Sequence, residues 1–69
     1  MNRKQATWQL QIVQAVLRRS REQGVDGPEL RRRAAELVEW TAEQVDPDVA
    51  ADGEWLALLR SVQALVEEG

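Results

Sequence analysis

Gly24-Val25-Asp26-Gly27-Pro28-Glu29-Leu30 divides the chain in two. Glycine adopts the left-handed backbone that ends a helix without a side-chain clash, so Gly24 reads as the residue just past a first helix. Proline is tolerated at the first position of a helix, where no N–H is needed, so Pro28 reads as the start of a second. Asp26 or Gly27 then caps that helix, and Glu29 adds favourable charge to its first turn. Every arginine except Arg3 and Arg60 lies within about ten residues of this turn.

Upstream, the spacing predicts a helix over about 3–23. Ala6, Leu10, Val13, Leu17 and Ser20 recur at helical intervals and make one buried stripe, with Gln11, Gln14, Arg18 and Arg21 on a wet face. Trp8, Ile12 and Ala15 form another apolar set, roughly 140–180° around at 100° per residue, with Val16 partly between. Such a helix either touches two others, as in a three-helix bundle, or presents one stripe to a partner.

Downstream, a second helix is predicted over about 28–45. Leu30, Ala34, Leu37, Val38, Thr41 and Val45 share one stripe, and Arg32, Glu36, Glu39 and Glu43 occupy the far side. Arg32 and Glu36 are spaced to pair, whereas Glu39 and Glu43 repel. Trp40 stands on the flank of the stripe, so part of its ring stays exposed. Ala35 and Ala42, on the other flank, are small enough to admit another helix.

Pro47 disfavours helical backbone at Asp46, so Asp46-Pro47-Asp48 ends the second helix. The third begins either there, with Asp46 as cap, or afresh after Asp52. The fresh start is favoured, with Asp52 as cap, Glu54 in the first turn and a helix over about 53–67. Trp55, Leu58, Leu59, Val62, Leu65 and Val66 form its stripe, Trp55 enters the core at one end, and Leu56 points elsewhere. Two acids near the end, Glu67 and Glu68, are electrostatically unhelpful there. No segment alternates with period two. With short connections, neighbouring helices pack antiparallel. The expected fold is all-α, a compact up-down-up three-helix bundle in a single domain over 1–69.

Chains this short gain only about 3–5 kcal/mol from a single core. Cysteine and histidine are both absent, so neither a disulfide nor a zinc cage can staple this one. The net charge of −3 hides a gradient: residues 1–24 sum to +4, 25–45 to −2 and 46–69 to −5. Glutamines break what would have to be a signal-peptide core, and no apolar run reaches the ~18 residues of a membrane span. A soluble, cytoplasmic protein is the expectation. Arginine in place of lysine, with no Phe, Tyr, His or Cys, fits a GC-rich genome or a computed design.

Catalysis lacks the inventory. There is no imidazole or thiol, and the hydroxyls are only Thr7, Ser20, Thr41 and Ser61. Asp46, Asp48, Asp52 and Glu54 fail as a calcium loop, because counting from Asp46 puts alanines at the fifth, sixth and twelfth places, where a ligand, a glycine and a glutamate belong. Helix capping explains those acids. No enzyme activity, cofactor, metal or small-molecule substrate is expected.

Two surface readings remain. Ser20-Arg21-Glu22-Gln23-Gly24-Val25, followed by Leu30 and Arg31-Arg32-Arg33, resembles a helix-turn-helix segment, which implies DNA contact through Arg31, Arg32 and Arg33. Against this, Arg19 and Gln23 occupy positions that should pack inward, Asp26 and Glu29 open the would-be recognition helix, and the chain is acidic overall, whereas phosphate binding favours a basic face. The favoured reading is a small non-enzymatic module that binds a protein partner, or itself, through Trp8, Ile12 and Ala15, with Val16 and Trp40 contributing. Tryptophan is enriched at the energetic centres of interfaces. A designed scaffold with no partner is the third alternative, and membrane association is not expected.

Overall fold

The computed structural model describes residues 1–25 and 27–68. Among them, four helices follow in order: α1 (Arg3–Glu22), α2 (Pro28–Gln44), the single-turn α3 (Pro47–Ala50) and α4 (Gly53–Glu67). The three long ones pack on one another as the expected up-down-up bundle.

Each boundary has a local cause. Asn2 opens α1 with a capping box: its side chain accepts from the Gln5 N–H, and the Gln5 side chain accepts from the Asn2 N–H. At the far end Gly24 adopts a φ of 70°, the Gly24 N–H donates to the Arg21 carbonyl, and the Val25 N–H reaches back to Ser20. This is a Schellman ending, as Gly24 predicted. Gly27 occupies the cap position of α2, with Pro28 at its start. The alternative cap, Asp26, lies outside the described residues.

Both alternatives for the third helix coexist. Asp46 and Pro47 begin the short α3, the Ala50 N–H donating to the Asp46 carbonyl at 3.0 Å. Asp52 then starts α4 afresh, its carboxylate accepting from the Glu54 and Trp55 N–H groups at 2.9 and 3.3 Å. Leu56 departs from expectation. The short α3 folds back against α4, burying Val49, and Leu56 packs against the core.

Ion pairs and hydrogen bonds at the two ends fix the helix directions. The Met1 ammonium donates to the Gln44 carbonyl at 2.7 Å, and the Asp46 N–H donates to the Met1 carbonyl, so α1 starts where α2 ends. Arg3 meets Asp52 and Glu54 at 2.7 Å each, so α1 and α4 start together. Arg21 donates to the Leu65 carbonyl at 2.6 Å and to Glu68 at 2.9 Å, so they also end together. Arg21 thereby satisfies a carbonyl of the last α4 turn and offsets the acids there.

The core is the predicted first stripe of α1 (Ala6, Leu10, Val13, Leu17) closed by Val38, Val49, Trp55, Leu59 and Val62. Thr41 is fully buried, and its hydroxyl donates to the Leu37 carbonyl at 2.8 Å. Trp55 enters the core as expected, although its indole N–H finds no acceptor among the described residues. No described helix is long and apolar enough to cross a membrane.

Candidate protein-interaction face

The second stripe of α1 stays outside the core. Trp8 is 61% exposed, Ile12 38% and Val16 44%, and Ala15 is exposed beside them. Their four-residue spacing sets Trp8, Ile12 and Val16 one above another as a ridge along the helix. The reason lies in the width of the apolar surface. α2 and α4 both approach α1 from the side of Leu10, Val13 and Leu17, and none of the described elements covers the far flank.

Between this ridge and α2 runs an apolar groove of about 170 Å³. Ile12, Val13 and Val16 form one wall; Leu30, Ala34, Leu37 and the stem of Arg33 form the other. Trp40 follows Leu37 by three residues on the same flank of α2 and is 47% exposed. The groove residues Ile12, Val16, Leu30 and Leu37, with Trp8 one turn before Ile12 and Trp40 one turn after Leu37, put most of the exposed apolar area on one side of two helices. Contiguous exposed apolar area of this kind marks interaction surfaces more often than scattered single residues do.

Residues Trp8, Ile12, Ala15, Val16 and Trp40, singled out from spacing, all lie on the surface. Leu30 and Leu37, assigned from sequence to the α2 core stripe, are half-buried and wall the groove as well. Their double role depends on how far α1 and α2 stand apart, which helical periodicity does not report. Ala35 lines a different cleft, between α2 and α4, and is exposed there.

The three consecutive arginines diverge, because successive helical residues point about 100° apart. Arg31 is half-buried, Arg32 is exposed beside Pro28 and Glu29, and Arg33 reaches Glu29 at 3.3 Å while its stem flanks the groove. They do not form a shared basic patch. The ion pair expected between Arg32 and Glu36 gives way to Glu29–Arg33, in which the acid precedes the base, the better order along a helix.

The other charged cluster joins the starts of α1 and α4. The hydrogen bond that the Arg3 guanidinium donates to Glu54, reinforced by the charge of Asp52, raises the Arg3 pKa above its already high value. Arg3 stays ionised at any ordinary pH, so it ties the starts of the two helices by charge. Asp46 and Asp52, cation-ligand candidates by residue type, stand at helix starts. Comparison of the chain with known protein families, with curated proteins and with solved structures gave no match.

Proposed function

We propose that the protein is a small non-enzymatic interaction module that binds a protein partner, or a second copy of itself, through the α1/α2 face. The observation that carries this reading is that Trp8, Ile12, Val16 and Trp40 stay exposed on either side of the apolar groove between α1 and α2, although the chain has an otherwise closed core. Two tryptophans on one apolar face supply large, rigid contact area at low conformational cost. The groove beside them accepts side chains from a facing helix, the mode in which an amphipathic helix lays its apolar stripe into a groove.

Trp8→Ala and Ile12→Glu test the reading together. Circular dichroism should find both variants folded, since neither position belongs to the buried core. Binding, followed by light scattering for self-association and by capture for another protein, should fall by at least tenfold for each variant, in the order of ~10-fold per 1.4 kcal/mol lost at a hot spot. Unfolding of both variants would place the strip in the core and remove the proposal. Folded variants that still bind at full strength would remove it too.

A further inference from the structure

Resting on the proposed role of this face, we infer that its occupant is a second copy of the chain, seated so that the two-fold axis runs parallel to α1 and α2. On α1 the apolar ridge has a base at each end: Lys4 lies one turn before Trp8, and Arg19 one turn after Val16. On α2 three acids and one base stand beside the strip: Glu36 and Glu43 lie one turn to either side of Trp40, and Glu29 lies one turn before Arg33, with which it pairs. All six are exposed, and Lys4, Arg19, Glu36 and Glu43 have no ion-pair partner among the described residues.

Levels along the bundle follow from the antiparallel α1/α2 pair. Met1 is tied to Gln44 and Asp46, and Ile12 and Val16 share the groove with Leu37 and Leu30. Both helices rise equally per residue, so to within about one turn Lys4 is level with Glu43, Trp8 with Trp40, and Arg19 with Glu29.

A face can meet its own copy about two in-plane axes. An axis across the helices lays α1 on the partner's α1, so that Lys4 opposes the partner's Arg19 and Glu43 opposes the partner's Glu29. The pairs at both ends are of like charge, and the one mid-face contact of opposite charge, Arg33 with the partner's Glu36, offsets only part of that repulsion. An axis along the helices lays α1 antiparallel on the partner's α2 at the same level. Lys4 then meets the partner's Glu43, Arg19 meets the partner's Glu29, and Trp8 stacks on the partner's Trp40. Each contact occurs twice by symmetry, as an isologous interface requires. The result is a four-helix layer with α4 outside on both sides and four indoles gathered at one end. The molecule is 38 Å long and 17 Å wide, so its corrugated face is of the order of the roughly 800 Å² per partner of standard interfaces.

Sedimentation of the purified full chain at low salt, up to about 1 mM, should show a monomer–dimer equilibrium with no larger species. Lys4→Glu and Glu43→Lys should each weaken the dimer by about tenfold, and the double variant should recover most of the loss. Lys4 is exposed in the first turn of α1, where an acid suits the helix start, so Lys4→Glu keeps the fold. Tightening by Lys4→Glu would instead signal the crossed arrangement, in which the new carboxylate meets the partner's Arg19, and would overturn the proposal. A wild-type chain that stays monomeric to about 1 mM would overturn it as well. If that monomer still binds another protein in an Ile12-dependent way, self-pairing alone fails; if it binds nothing, the reading of the face fails with it.

Discussion

At Gly24 the backbone sits at a φ of 70°, and a Cβ built there meets nothing within 4 Å. The cost of Gly24→Ala is therefore purely conformational, about 1–2 kcal/mol for an L-residue held left-handed, and Gly24→Asn should recover part of it. Urea unfolding of both variants checks this, and an unchanged midpoint for alanine would contradict the Schellman ending. Such residues are legible in sequence because their effect is local. Gly24, Pro28, Pro47 and Asp52 each act within a turn of themselves, and all four mark the boundary their chemistry implies. Arg21 is not legible in this way. Its acceptor, the Leu65 carbonyl, lies 44 residues away, so helical spacing places it on a wet face and nothing more. Arg21→Ala should fray the last turn of α4 at a cost of about 1 kcal/mol. Amide exchange at 64–67 would report the change, and unaltered protection would deny the contact its role.

Among the elements, α1 carries the main consequence. Two apolar stripes on one helix admit two explanations from sequence, a doubly packed core helix or a core helix with a spare face. Periodicity finds both stripes, but only the placement of α2 and α4 separates them: Leu10 is fully buried and Trp8 is mostly exposed. The expected difference in energetics is large. Leu10→Ala should cost about 2–5 kcal/mol through lost contacts and a cavity, whereas Trp8→Ala, studied in dilute solution, should stay within about 1 kcal/mol of wild type. Equal losses in denaturant titrations would mean that the second stripe is core. The short α3 shows the opposite kind of limit. Its start at Asp46-Pro47 is readable, but its fold-back onto α4 and the packing of Leu56 against the core depend on tertiary contacts that no local signal records.

For the whole molecule, a few end-to-end ties join the helix ends that the bundle brings together: Met1 with Gln44 and Asp46, Arg3 with Asp52 and Glu54, Arg21 with Leu65 and Glu68. They leave the acids of α2 and the bases Lys4 and Arg19 along one side, bordering the exposed apolar strip. The charge gradient read from sequence thus becomes an arrangement, with Lys4 and Arg19 on the α1 edge of a face and Glu29, Glu36 and Glu43, with Arg33 among them, on the α2 edge. Its functional meaning is not legible in composition, since the same charges spread evenly would give the same net value. The central claim is that this face, and not the outer side of α4, is where the protein meets other protein. Photo-cross-linking from a reactive residue at position 12, compared with one at the exposed Arg60 of α4, tests it most directly. Protein adducts, whether dimer or foreign, should form predominantly from position 12 and disappear with Trp8→Ala; equal adduct yields from both positions would rule this face out as the interface.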